Sequence, residues 1–307
     1  MSKTMLSQSD FQAIRRWMYR CARPVELALW QFHFEGGPRE AVLAALSAFQ
    51  NPDGGIGHAL EADCWNTASA PIQTGDAILL LDGIGFGDPR HPLAQGICRW
   101  IAGGSCREGG YWQNTIPSND QFPRAPWWSY APGENPYNPT ALMLGFLLQY
   151  GGAEERASAK PLAAKLLQRM AETPVDEPHS AACCFYLLKS VERAGLTAEL
   201  SGKAALAALC KAANALLERD TAKWSGYSCK PSQFINSPAH PLYAGNETLV
   251  EAELDWAVGS RSADGVWDIP WGWGAFPEEF AVSRIWWQGR MAVERACLLK
   301  NFGRIAQ

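Results

Sequence analysis

Four ionisable side chains stand close together in one polar stretch of the chain, residues 49–74. They are Asp53, His58, Glu61 and Asp63. Carboxylates and an imidazole at such short spacing can transfer protons as general acids and bases. The same side chains can instead hydrogen-bond the amides of a loop or cap helix ends, which requires neither ligand nor reaction. The sequence leaves both interpretations open.

Aromatic side chains supply the second set of candidate residues. Tryptophan is frequent, with 14 among 307 residues, and two aromatic runs fall in long segments that carry no helical pattern. The faces of such rings can stabilise a carbocation or stack on a sugar, and they can also simply fill a core. We expect the aromatic residues that contact a substrate in these runs to be Trp127, Trp128, Tyr137, Trp271, Trp273 and Trp286.

Helical periodicity dominates the segments that must position these residues. Apolar residues recur at three- and four-residue intervals, and several segments begin with a proline, whose missing N–H costs nothing in the first turn of a helix. Asn138 is expected to cap the sixth helix, and no strand is predicted. The predicted helices are residues 10–21, 24–34, 38–50, 71–81, 92–102, 139–150, 154–172, 178–194, 198–219, 247–258 and 284–302.

The composition argues against several classes of protein. The formal net charge is −4, and Lys and Arg form no dense block, so nucleic acid is a poor partner. No apolar run is long enough to span a bilayer, and no signal-peptide core is visible. The nine cysteines include no CxxC pair, and Cys183 and Cys184 fall in an apolar helix, so we expect buried free thiols and a cytoplasmic protein. A single domain over residues 1–307 is expected, in an oligomeric state that the sequence leaves open.

A short turn recurs between the predicted helices. It combines glycine with an acidic or aromatic residue, and its copies lie at residues 50–55, 107–112 and 260–267, with a weaker copy at 224–227. Self-similar units of this kind indicate helical hairpins that bury their apolar faces only by stacking on one another. The sequence therefore predicts an all-α repeat architecture.

Two of these turns resemble the QW-type turns of the terpenoid cyclase and protein prenyltransferase superfamily. They are Q-x-x-D-G at residues 50–54 and D-G-x-W at residues 264–267. The resemblance implies an α/α toroid, in which about five to six hairpins form outer and inner rings of helices. Long Trp-rich loops and the site would lie at one end. Because no histidine with matching neighbours follows Asp63-Cys64, the zinc site of the prenyltransferases has no counterpart, and we expect neither a metal nor another cofactor.

The resemblance also gives roles to the polar stretch. Class II terpenoid cyclases carry an Asp-x-Asp-Asp motif whose middle acid protonates an alkene or epoxide. The matching residues here are 61–64, with Cys64 in place of the last acid. The resemblance implies that Asp63 is the proton donor, that Glu61 helps to keep it protonated by raising its pKa, and that His58 returns the proton.

Three functions follow from these patterns. The first is an enzyme that acts on an apolar, isoprenoid-type small molecule by acid-initiated cyclisation or isomerisation, with Asp53 and Trp65 among its substrate contacts. The second is a carbohydrate-active enzyme resembling a glycoside hydrolase or polysaccharide lyase, which would use the acids of residues 264–279. The third is a toroid that binds a small molecule without catalysis. Apolar walls in the cavity favour the first, and carboxylates beside exposed rings favour the second.

Overall fold

The computed structural model describes residues 3–133 and 136–306. The chain forms two compact units. The terminal unit consists of residues 1–45 and 217–307, and the central unit consists of residues 46–216. The single domain expected from the sequence stays a prediction.

The described residues are predominantly helical, which confirms the all-α class, and their helices are numbered α1 to α11 in chain order. The helices are Gln8–Cys21, Pro24–Phe34, Arg39–Ser47, Pro71–Gly83, Pro92–Ala102, Thr140–Tyr150, Ala153–Glu172, Pro178–Arg193, Gly202–Leu216, Glu247–Gly259 and Pro277–Asn301. Two short antiparallel strands, β1 (Arg107–Glu108) and β2 (Tyr111–Trp112), form a hairpin that was not predicted. In the part of the chain described, no helix has the length and the apolar run needed to cross a bilayer.

Every predicted helix is present, and two of them begin four or more residues away from the predicted start. Helix α11 begins at Pro277, about two turns before the predicted start at residue 284. Phe276 adopts a left-handed conformation (φ +51°), after which the proline fits the first helical turn. Helix α9 begins at Gly202 and not at residue 198, because Ser201 also has a positive φ (+54°), which a continuous right-handed helix excludes.

The predicted N-cap at Asn138 is wrong. Helix α6 begins at Thr140, so Pro139 occupies the N-cap position and no side chain caps the helix. The Pro139 carbonyl already accepts a helical hydrogen bond from the N–H of Met143 (3.2 Å). The Asn138 side chain instead accepts a hydrogen bond from the thiol of Cys183 (3.6 Å).

Helix α6 is the core of the central unit. Residues 140–148 are all buried, and α4, α5, α7 and α8 pack around this helix. A helix that is apolar on every side must be covered on every side, which explains why its sequence lacks an amphipathic pattern. Helix α9 covers α7 and α8 in turn.

Helix α11 organises the terminal unit, where it packs against α1, α2 and α10. The two ends of this unit are tied together by a parallel bridge between Leu6 and Ile305. Next to the bridge, the buried Arg304 donates hydrogen bonds to the carbonyl of Thr4 (2.6 Å) and the carboxylate of Asp255 (2.7 Å).

The three stronger copies of the recurring turn share one backbone conformation at glycine. The φ angles are +94° at Gly54, +93° at Gly110 and +87° at Gly265. A residue with a Cβ is strained at such φ angles, so this turn requires glycine.

Two of these turns are joined to a following helix in the same way. The N–H of Ile56, two residues after Gly54, donates to the hydroxyl of Thr74 in α4 (3.1 Å). The N–H of Trp112 donates to the hydroxyl of Thr140 at the start of α6 (3.0 Å). Each turn is thereby anchored to the beginning of a helix that the central unit buries.

The first turn is also locked onto helix α5. The Gln50 side chain donates to the carbonyls of Gly54 (2.9 Å) and Leu93 (3.0 Å). Gly96 makes this approach possible, because a Cβ at that position would lie 2.3 Å from the Gln50 side-chain nitrogen. A Cβ at Gly54 would in turn lie 2.2 Å from the carbonyl oxygen of Gly96.

We predict that Gly54→Ala destabilises the protein more than Gly110→Ala does. Both glycines have nearly the same φ, so both substitutions carry the strain of a left-handed residue, about 1–2 kcal/mol. Only the methyl group at residue 54 collides with another backbone, because a Cβ at Gly110 meets nothing within 4 Å. Midpoints of urea unfolding measure the difference. Equal midpoints for the two variants would contradict the close packing of the first turn on α5.

Candidate functional site

Asp53 and His58 hold the shape of the polar stretch. One carboxylate oxygen of Asp53 accepts hydrogen bonds from the N–H of Gly55 (3.0 Å) and the hydroxyl of Ser69 (2.7 Å). His58 is exposed, has a positive φ (+60°), and places Nε2 2.9 Å from the side-chain oxygen of Asn51. These contacts are those of a loop that closes on itself, and none of them requires a ligand.

Glu61 and Asp63 are buried next to each other, with 7% and 2% of their surfaces exposed. A carboxylate oxygen of Glu61 accepts a hydrogen bond from the N–H of Asp63 (2.9 Å). The carbonyl of Asp63 accepts one from the N–H of Ala125 (2.8 Å). The N–H of Trp65, which is half-buried, donates to the carbonyl of Pro123 (3.0 Å). The acidic pair therefore lies on a segment that is fastened to residues 123–125.

Two buried amide side chains, which sequence reasoning missed, carry much of the hydrogen bonding of this stretch. Gln73 of α4 accepts from the N–H of Leu60 (2.9 Å) and donates to the carbonyl of Asn66 (2.8 Å). Asn66 in turn donates to Ser118 (2.8 Å) and Asn119 (2.8 Å). The available signal was Gln73 itself, an amide residue in the first turn of α4.

A groove of about 500 Å³ opens in the central unit beside the hairpin β1–β2. Its volume lies within the range of small-molecule sites. The sequence predicted the turn in this hairpin but no ligand site there. The residues that line the groove are Cys106, Arg107, Glu108, Gln113, Thr115, Ile116, Pro117, Ser118 and Tyr130.

The groove combines hydrogen-bonding groups with an aromatic ring. Gln113 and Thr115 are buried, and the Thr115 hydroxyl exchanges hydrogen bonds with the backbone of Ala131. Tyr130 leaves 37% of its surface exposed. Its N–H donates to the carboxylate of Asp120 (3.0 Å), which fixes its backbone.

Three buried polar atoms on the segments around the groove have no hydrogen-bond partner in the described part of the protein. They are Nε1 of Trp112, the side-chain oxygen of Asn114, and Nε1 of Trp128. Residues 112 and 114 flank Gln113 of the groove. Buried polar atoms nearly always have a partner, so water or a ligand is expected to pair with such groups.

The aromatic candidates of the central unit have different exposures. Trp127 and Trp128 share a short 3-10 turn, in which Trp127 is 46% exposed and Trp128 is buried. The Trp128 carbonyl accepts a hydrogen bond from Asn119 (2.9 Å). Tyr137 is buried, and burial raises its pKa to about 12. Trp127 thus offers an open ring, whereas Tyr137 is part of the interior.

The aromatic candidates of the terminal unit have separate surroundings. Trp271 packs edge-to-face against Tyr227 and Trp287, at centroid distances of 5.8 and 5.3 Å. Trp273 is buried and its ring lies 5.7 Å from that of Phe280. The guanidinium carbon of Arg23 lies over the Trp286 ring, 4.9 Å from the ring centroid.

The acids proposed for carbohydrate chemistry in the terminal unit include one carboxylate that is paired with an arginine. The hydrogen bond from Arg284 lowers the pKa of the Asp268 carboxyl, which keeps Asp268 charged. Glu278 and Glu279 lie in the first turn of α11, where a negative charge is stabilised by the helix dipole.

Cysteine and metal chemistry find little support among the described residues. They contain no group of three or more possible metal ligands. All nine cysteines are free thiols, and Cys183 and Cys184 are buried as predicted. Cys106 lines the groove with a positive φ (+60°), but burial raises the pKa of its thiol, so the nucleophilic thiolate is disfavoured.

Comparisons of the chain with protein-family models, with curated proteins and with solved structures give no match.

We predict that Glu61→Ala destabilises the protein by about 1–3 kcal/mol, because it leaves the buried N–H of Asp63 without an acceptor. Glu61→Gln keeps an acceptor oxygen and should cost less. Glu108→Ala, which removes an exposed carboxylate, serves as the control and should have little effect. Thermal unfolding of the three variants measures the differences. A Glu61→Ala variant as stable as the control would contradict a structural role for this carboxylate.

Proposed function

We propose that this protein binds a small, hydroxyl-rich molecule of the carbohydrate class in the groove of the central unit. The observation that carries the proposal is the groove itself, with buried amide and hydroxyl groups in its lining and an exposed tyrosine ring at its edge. Sugars combine hydroxyl groups with apolar C–H faces, and such a lining suits both features.

The polar groups favour a sugar over an isoprenoid. An isoprenoid chain could not pair with the side chain of Gln113, and it would cover that amide at a cost in desolvation. A sugar offers both donors and acceptors.

Binding is better supported than hydrolysis. Glycoside hydrolases mostly use two carboxyl groups placed on either side of the bond that breaks. The groove lining contains one carboxylate, Glu108. We therefore propose recognition of a sugar at this groove and assign no hydrolytic step to it.

We predict that Tyr130→Ala weakens sugar binding about tenfold or more, because the variant loses the ring on which a sugar can stack. Isothermal titration with glucose, galactose and their oligosaccharides measures the affinity. Tyr227→Ala provides the control, since it removes an even more exposed tyrosine that lies outside the groove. Equal losses in both variants, or no binding of any of these sugars to the unmodified protein, would contradict the proposal.

We propose as a second function an acid-initiated cyclisation or isomerisation of an isoprenoid-type substrate, in a toroid of the terpenoid cyclase type. The observation that favours it is the burial of both Glu61 and Asp63, since a carboxylic acid needs buried surroundings to stay protonated. The shared turn conformation at Gly54, Gly110 and Gly265 supports the toroid.

The variant Asp63→Asn tests this second function. If Asp63 is the acid, the variant should form no cyclised product from squalene or geranylgeranyl diphosphate, while its melting temperature stays close to that of the unmodified protein. Gas chromatography of the extracted products measures turnover. If Asp63 only holds its loop, the variant should lose on the order of 1 kcal/mol of stability. Normal turnover in a variant that melts early would contradict the catalytic role.

A further inference from the structure

We infer that Arg107 gives the groove a preference for sugars that carry an oxyanion, such as the carboxylate of a uronic acid or the phosphate of a sugar phosphate. This inference rests on the proposed function and names the substrate class more closely.

The hairpin fixes the position of Arg107. Gly109 and Gly110 both have positive φ (+58° and +93°), as the tightest hairpin turns require. The turn pairs Arg107 directly with Trp112 across the two strands, so their side chains lie on the same face. The guanidinium carbon lies 4.5 Å from the centroid of the Trp112 ring.

A guanidinium stacked on a ring keeps its N–H donors in its own plane. Arg107 uses one nitrogen, Nη2, to donate to the carbonyl of Gly110 (2.9 Å). Of the described residues, none forms an ion pair with Arg107. Because the Arg107 guanidinium is held in place by the Trp112 ring and the Gly110 carbonyl, its side chain loses little entropy when it binds an anion.

The Arg107 guanidinium is better suited to bind an oxyanion than a neutral hydroxyl. Planar guanidinium groups bind carboxylate and phosphate through two parallel hydrogen bonds, and such charge-assisted bonds are roughly twice as strong as neutral ones. Glu108, the next residue along β1, also lines the groove. Its like charge opposes an anion, so removing Glu108 should strengthen the preference that Arg107 creates.

Isothermal titration with glucose, glucuronate and glucose 6-phosphate tests the inference. We expect at least one of the two anions to bind about tenfold more tightly than glucose, as a charge-assisted pair predicts. The comparison of glucuronate with glucose 6-phosphate tells which oxyanion the groove prefers. Arg107→Gln should abolish the preference, so that the two anions bind no more tightly than glucose does.

Two further variants control for charge alone. Arg99→Gln removes one positive charge from an exposed residue of α5 outside the groove lining, and should keep the preference. Glu108→Gln should increase it. If glucose binds as tightly as both anions, or if Arg107→Gln and Arg99→Gln have the same effect, the inference is wrong while the proposed function stands. If no sugar binds, the proposed function fails as well.

Discussion

The structure of the central unit depends on how a buried loop satisfies its backbone hydrogen bonds. Residues 54–64 are all buried except His58, yet they form neither helix nor strand. Loops usually stay at the surface, because buried N–H and C=O groups need partners that irregular backbone cannot supply by itself. Here Gln73, Thr74 and Glu61 supply many of these partners from their side chains. Replacing any of them with an apolar residue would leave a buried polar group unpaired.

The same hydrogen bonds reach the wall of the groove. The Asn66 side chain accepts a hydrogen bond from the N–H of Ala68 and donates to Ser118 and Asn119. Asn119 in turn donates to the carbonyl of Trp128. Ser118 lines the groove, so one wall is held from behind by buried amides rather than by its own short 3-10 turn. A wall fixed in this way can present its donors and acceptors to a ligand with little cost in conformational entropy.

The sequence predicted the helices well because their signals are local. Proline in the first turn and glycine after the last turn mark Pro24–Phe34 and Pro92–Ala102 at the observed residues. The prediction failed at the start of α11. This helix follows a Trp- and Gly-rich segment and begins directly after the left-handed Phe276. The sequence predicted a polar stretch at residues 49–74, although contacts from α4 and from residues 118–125 bury much of it. The groove was missed because its lining comes from the hairpin and from a segment up to Tyr130, and their contact depends on the tertiary fold.

If the groove beside the hairpin is a ligand site, a crystal structure of the protein soaked with glucuronate should show it. We expect a sugar in the groove, with its ring against Tyr130, its hydroxyl groups near Gln113 and Thr115, and its carboxylate on the guanidinium of Arg107. A sugar bound elsewhere on the molecule, or a groove that holds only water at a glucuronate concentration that saturates binding in solution, would contradict the claim.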